Sequence, residues 1–379
     1  MDFGFSPEQE ELRKSARAFF KETAPTSYAR RVADGCSQEQ AGQHEGLWHA
    51  MAGLGWTGLL IPEDLGGSGL GLLDLCLLLE EGGRVVLPGP FLSTSSLAVP
   101  ALMALGSSGQ QSDILPAIAA GSRRVSVAVA EKAGRWDAAG LQCQATASDE
   151  GFLLVGSKLF VPDAATADQV VVVARLDRGL GFFLVEPDGQ GVAVQRLNTV
   201  DQTRDLYLFD LKQVSVGREA LLGQGADETD GATLLDGLMD RARVALAAEM
   251  CGCAAAALDL SLDYVKTREQ FGRPVGSFQA IQHKLADMAV LLENSRSLVY
   301  YAAWALDHDS EDAGLAAAMA KSYASHACPQ VVTDAIQAHG GIGFTWEHDL
   351  QLYLKRVKAG ESTYGDSAYN NERVAARLL

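Results

Sequence analysis

Two stretches of the chain combine anion-attracting side chains with residues that free the backbone. The first runs Arg268-Glu269-Gln270-Phe271-Gly272-Arg273-Pro274-Val275-Gly276-Ser277-Phe278-Gln279. Gly272, Pro274 and Gly276 predict a turn between two helices, with Arg268 and Arg273 flanking it. The amides that open the second helix have no partner inside it. Helix N-termini and guanidiniums both attract phosphate, so this junction suits an anion. An ordinary interhelix turn with solvated charges would use the same residues. The second stretch is Gln337-Ala338-His339-Gly340-Gly341-Ile342-Gly343-Phe344. Its glycines let backbone approach a ligand closely, and Gln337 can hydrogen-bond one. A tight helix-ending turn is the alternative. No strand precedes the glycines and no Lys-Ser/Thr follows them, which excludes a Rossmann fingerprint and a P-loop.

Cys251-Gly252-Cys253 is a third candidate, for redox or metal chemistry. No further ligands stand at metal spacing, so small residues packing inside a helix are expected instead. The six cysteines, at 36, 76, 143, 251, 253 and 328, are scattered and mostly in apolar contexts. That pattern predicts buried reduced thiols, not a disulfide frame.

Three segments position these residues. Residues 1–123 read as a helical domain. Ser6-Pro7-Glu8-Gln9 is a capped helix start, with Leu12, Ala16, Phe19 and Phe20 on one face. A helix is expected around 45–54, and an apolar, central one from Leu72 to Glu81. Residues 124–226 change to a period of two, with short strands punctuated by Gly, Asp and Pro. The candidates lie at 125–129, 152–155, 159–161, 170–173, 182–185, 192–194 and 206–209, and they predict an antiparallel β domain. Residues 227–379 return to the helical period. Phe278, Ile281, Leu285, Met288, Leu292 and Leu298 keep one seam, which suits a four-helix bundle or an oligomer interface. The fold class is α+β, in the order helices, β, helices.

The charge balance narrows the partners. There are 31 basic against 48 acidic residues, a net charge of -17. So acidic a chain repels nucleic acid and anionic membranes. The N-terminus has no signal-peptide pattern, and no uninterrupted apolar run approaches the roughly twenty residues that span a bilayer. A cytoplasmic protein is expected.

The domain order and the two motifs together resemble the acyl-CoA dehydrogenase family over nearly the whole chain. Ser6-Pro7-Glu8-Gln9, Pro62-Glu63-Asp64-Leu65-Gly66-Gly67 and the segment Trp346 to Arg356 share the resemblance. It implies an acyl-CoA substrate, FAD as cofactor and an electron-transfer flavoprotein as acceptor. In the family a carboxylate takes the Cα proton while flavin N5 takes the Cβ hydride. The two motifs hold the ADP part of a neighbouring subunit's FAD. Here that role would fall to Arg268, Gln270, Phe271, Val275, Phe278, Gln279, Gln337, Gly340, Gly341 and Gly343.

The chain departs from the family where the chemistry occurs. The common base is a Glu in a Glu-Gly-Thr step, and its position falls on Tyr364 of Tyr364-Gly365-Asp366. In a smaller branch the base precedes an Arg, and that position falls on Ala242 of Ala242-Arg243. A phenol with an ordinary pKa of about 10 is a poor base, and alanine is none. Asp240, Glu249 and Glu361 are the nearby acids, each more simply structural. The family's Thr-Glu-Pro-x-Ala-Gly-Ser-Asp appears as Ala130-Glu131-Lys132-Ala133-Gly134-Arg135-Trp136-Asp137, which brings bulky Arg135 and Trp136 toward the flavin ring. Its Trp-Ile-Thr strand appears as Phe160-Val161-Pro162, without the Thr hydroxyl or a third amide. The chain thus resembles the non-catalytic subunit of bacterial α2β2 members of the steroid-CoA type, completing the FAD site of a homologous catalytic partner. A self-sufficient homotetramer with an unusual base, a flavin oxygenase or oxidase on the same scaffold, and a purely structural subunit remain the alternatives.

Overall fold

The computed structural model describes residues 4–35, 37–223 and 228–379; Cys36 and Asp227 lie outside them. The first helix, α1 (Pro7–Thr23), begins with the expected capping box: the Ser6 hydroxyl accepts from the Gln9 amide while the Gln9 side chain accepts from the Ser6 amide. Ala16 and Phe20 face the core, with Leu12 and Phe19 partly covered beside them. Helices α2 (Thr26–Ala33) and α3 (Ser37–Gly53) follow. Then comes α4 (Leu72–Gly83), central as its composition predicts: Leu72 and every residue from Leu75 to Gly83 are buried. Short helices α5 (Phe91–Ser93) and α6 (Val99–Leu105), joined by a π-helical turn, and α7 (Ser108–Ala119) complete the segment.

The middle segment is a seven-stranded sheet of β1 (Val125–Ala128), β2 (Gln144–Ala147), β3 (Gly151–Pro162), β4 (Gln169–Arg175), β5 (Leu180–Val185), β6 (Val192–Arg196) and β7 (Leu206–Gly217). Most pairs are antiparallel, but β4 runs parallel to β1 and touches β2 in parallel. The sheet is therefore mixed, a correction to the wholly antiparallel expectation. Local alternation reports which face a residue takes, not which strand lies beside it. The two expected strands at 152–155 and 159–161 are one strand, β3, whose register against β7 slips twice. Its period breaks at those bulges. Both faces of β4 are covered. Val171 and Val173 join the core shared with the helices, whereas Val170 and Val172 join a second core inside the β segment. That split is the two-residue strand period made visible.

The last segment holds α8 (Glu228–Thr267), the small hairpin β8 (Glu269–Gln270) and β9 (Arg273–Pro274), α9 (Gln279–Asp307), α10 (Ala313–His339), α11 (Leu350–Ser362) and α12 (Ser367–Leu378). The α9 seam is as expected: Leu285, Met288 and Leu292 are buried, and Ile281 and Leu298 pack on the core. Residues 231–267 of α8, though interrupted by charged residues and so no uninterrupted apolar run, are by length and composition long and apolar enough to cross a membrane, yet most of that stretch is buried inside the protein. Small residues explain how it packs. A side chain at Gly252 would lie 1.9 Å from the Glu80 carbonyl oxygen, and one at Gly83 would lie 2.1 Å from that of Glu249. Helices α4 and α8 thus cross backbone to backbone. Cys251 and Cys253 are buried at this crossing, and the Cys253 thiol donates to the Gly83 carbonyl at 3.2 Å. Packing accounts for the Cys-Gly-Cys step, and no metal-holding cluster occurs among the described residues. Gly252→Ala should cost about 1–3 kcal/mol, because backbone cannot yield as a side chain would. An unchanged urea midpoint would refute that crossing.

Candidate functional site

The two glycine-containing motifs emerge together at one end of the bundle. Tyr264, near the end of α8, stacks on His339, the last residue of α10, with ring centroids 4.4 Å apart. Between α8 and α9 the hairpin pairs Glu269 with Pro274 and Gln270 with Arg273. Phe271 and Gly272 form its tip, both at positive φ (55° and 76°). The Arg273 guanidinium lies 4.1 Å from the centre of the Phe278 ring, a cation–π contact that orients it. Val275 turns the chain back, its amide donating to the Arg268 carbonyl at 2.8 Å.

What remains free is informative. The side chains of Arg268, Gln270, Gln279 and Gln337 are exposed and have no hydrogen-bond or ion-pair partner among the described residues. A side chain at Gly340 or Gly341 would meet nothing within 4 Å, whereas one at Gly343 would strike the Ile336 carbonyl at 2.7 Å. Gly343 is therefore needed for packing, while Gly340 and Gly341 present bare backbone outward. Phe271 and Phe344 are 85% and 70% exposed. Free donors, bare backbone and uncovered rings fit the phosphate and nucleoside end of a dinucleotide held against a second protein surface.

Tyr364, the position aligned with the common base, lies elsewhere, at a cavity of about 490 Å³ between the β segment and α11. Tyr364 and Trp136 line it and meet edge-on at 5.0 Å. Burial pushes the Tyr364 phenol up to about 12, so it holds its proton at neutral pH. Its carbonyl accepts from Arg243 Nε at 3.0 Å. Ala242 is fully buried in α8. The three nearby acids do not line the cavity. Asp240 is paired with Arg243 at 2.7 Å and Arg373 at 2.9 Å, Glu249 with Arg204 at 2.6 Å and Arg356 at 2.9 Å, and Glu361 with Lys358 at 2.8 Å. Trp136, Phe160 and Pro162 line the cavity as the sequence implied, but Arg135 turns away to pair with Asp137 at 2.6 Å. A bidentate carboxylate two residues on outcompetes an apolar wall for a guanidinium.

Sequence reasoning missed two acids that line the cavity, Asp163 and Asp201. Asp163 is buried, lines the cavity, and has a carboxyl pushed up to about 7 by burial. Its neighbour Pro162 was noticed, but nothing local marks Asp163 itself.

The fold runs helices, sheet, helices, with the two glycine-containing motifs exposed at one end of the bundle. Models of the acyl-CoA dehydrogenase N-terminal, middle and C-terminal domains match residues 6–122, 126–211 and 229–379, and the chain belongs to the acyl-CoA dehydrogenase family. Members bind FAD and act on acyl-CoA thioesters. The caffeyl-CoA reductase-Etf complex subunit CarC of Acetobacterium woodii is 32% identical over 99% of each chain. A Tcur3481–Tcur3483 steroid ACAD variant is 36% identical, covers 98% of this chain and 97% of its own, and superposes with a TM-score of 0.86. The ChsE4–ChsE5 complex of Mycobacterium tuberculosis is 26% identical over 100% and 99%, with a TM-score of 0.88.

Proposed function

We propose that this chain is the subunit without a catalytic base in a heteromeric, FAD-dependent acyl-CoA dehydrogenase, assembled as α2β2. One contrast carries the reading. The side chains of Arg268, Gln270, Gln279 and Gln337, which would face the phosphate end, have no partner among the described residues, while Tyr364 and Ala242 occupy both base positions. Arg268 would meet the pyrophosphate of FAD in a site shared with the partner. Gln270, Gln279 and Gln337 would hydrogen-bond its polar end, with Phe271, Val275, Phe278 and the Gly340–Gly343 turn closing over it. Bound FAD supplies the hydride acceptor for α,β-desaturation. The partner would supply the carboxylate. We divide the chain at 123/124 and 226/227, and place it in the cytoplasm because its described cysteines are free and buried. The likeness to a steroid ACAD favours a polycyclic acyl-CoA, and that to an Etf-complex subunit favours an electron-transfer flavoprotein as acceptor.

Acyl-CoA turnover with an artificial electron acceptor tests the reading. The chain alone is expected to be inactive, and the co-expressed complex active. A self-sufficient homotetramer would have to use Asp163, the cavity acid that carries a near-neutral pKa. Turnover by the chain alone that disappears in Asp163→Asn would replace the proposal with that reading.

A further inference from the structure

Three rings close the loop that carries Gly340, Gly341 and Gly343. The loop runs from His339, the last residue of α10, to His348, two residues before α11. Those two rings meet edge-on, with centroids 4.7 Å apart, and Tyr264 of α8 stacks on His339 as well. Gly343 sits directly against this group: a side chain there would come within 3.0 Å of the His339 Cβ. From α11, the Gln351 amide donates to the Gly343 carbonyl at 2.8 Å. The shape of the turn therefore depends on how α8, α10 and the head of α11 meet at His339.

Hydrogen bonds assign the neutral tautomers. His339 Nδ1 lies 2.8 Å from the Ala335 carbonyl, so that nitrogen carries the hydrogen and Nε2 is bare. His348 Nδ1 accepts from the Leu350 amide at 3.2 Å, so its hydrogen is on Nε2. A second proton is unwelcome on either ring. Burial holds His339 below the ordinary imidazole range, outweighing the Ala335 carbonyl. Burial first, then His339, hold His348 low as well; Asp349 opposes the effect and Arg30 adds to it. A charged His348 would also lose the Leu350 amide as a donor and place a cation at the start of a helix. Asp349 is already matched, by Arg30 at 2.5 Å and by the Thr26 hydroxyl at 2.7 Å. The titratable and charged groups facing the pair are thus Tyr264 from α8, Asp349 at the head of α11 and Arg30 from α2, and no free carboxylate is among them.

We propose that His339 is the positioning residue of the cradle: its neutral ring, packed against Tyr264 and His348, holds the Gly340–Gly343 turn in the shape that receives the cofactor, and protonation of the pair unseats the turn and releases the cofactor. This rests on the assignment of the cradle to FAD. The sign follows from both imidazoles being held low. An open turn takes up protons at the ordinary imidazole value of about 6.5. The closed turn is therefore fully favoured above that pH and is lost as pH falls through the lower folded values. Two imidazoliums in contact also repel each other.

Two measurements test this, one on the full chain alone and one on the assembled complex. In the chain alone, hydrogen exchange is followed over 340–345, where the Gly340 and Thr345 amides donate to the Gln337 and Ile342 carbonyls. Corrected for the intrinsic effect of pH, protection there should fall about tenfold from pH 8 to pH 5.5, the scale of one pKa unit. In the complex, FAD retention should fall over the same interval by a similar factor. His339→Phe keeps an aromatic ring and takes no proton, so both pH dependences should vanish. His348→Asn, whose carbonyl can still accept from the Leu350 amide, should shrink them. His339→Ala should lower retention at pH 8 as well. Asp163 and Lys321, each brought to about 7 by burial, titrate elsewhere in the fold, and any share of theirs would survive in His339→Phe. Protection that ignores pH, or a pH dependence that survives in His339→Phe, overturns the proposal. So does FAD retention that strengthens on acidification or stays constant while the turn loses protection. If the FAD assignment itself fails, Arg268→Ala leaves occupancy unchanged at pH 8; the release step is then overturned, while exchange in the chain alone still decides the turn.

Discussion

Arg356→Ala is expected to lower the free energy of unfolding by about 3–5 kcal/mol at neutral pH, the usual cost of stripping one partner from a buried ion pair. The Arg356 guanidinium is fully buried. It donates to Asp201, Glu249, the Leu87 carbonyl and the Thr203 hydroxyl, so α11 is tied at one point to α8, to the segment after α4 and to the loop before β7. Removing it leaves Asp201 buried without a counter-ion, while Glu249 keeps Arg204. Arg356→Met, which fills the volume, should be nearly as damaging, because the charge and not the space is what Asp201 loses. The pH dependence has a definite sign. Burial alone would raise the Asp201 carboxyl, but Arg356 and the Thr203 hydroxyl outweigh it and hold the group below its ordinary value. A depressed carboxylate stabilises the fold above its unfolded pKa of about 3.9, and that share is lost as pH falls through the lower folded value. Urea unfolding at pH 7 and at decreasing pH checks both statements. A loss under about 1 kcal/mol would mean that the network is not the tie it resembles.

Arg268→Ala should weaken FAD retention in the assembled complex about tenfold or more, the scale of one charge-assisted contact to phosphate. Because the Arg268 side chain is exposed and has no hydrogen-bond or ion-pair partner among the described residues, its loss should leave the melting temperature unchanged. Gln337→Ala should act in the same direction but less, since a neutral amide contributes less than a guanidinium. Raising salt should weaken flavin retention in the unmodified complex and do so less in Arg268→Ala, because screening acts on the ionic contact. Flavin absorbance after gel filtration reads all of these. Unchanged occupancy in Arg268→Ala would remove the motif from the cofactor site.

Local chemistry was legible in the sequence, and long-range pairing was not. The capping box at Ser6 and the seam of α9 are written in residues three or four apart, and both are present. The parallel neighbour of β1 is β4, more than forty residues on, and no local period encodes it. Strand β2 was invisible because Gln144-Ala145-Thr146-Ala147 buries only Ala145. At the site, the glycine-bounded turns and their exposed polar residues could be read directly. Arg135 was misjudged because its direction is set by Asp137. Asp163 escaped notice because its properties come from Arg204 and Arg356 each being matched by another acid. Those acids, Asp201 and Glu249, lie far along the chain.

Native mass spectrometry of the chain, alone and co-expressed with its partner, tests the central claim most directly. Two copies of this chain, two of the partner and two FAD in the complex are predicted, with no flavin on the chain alone. A stable homotetramer of this chain carrying four FAD and desaturating acyl-CoA would contradict the account.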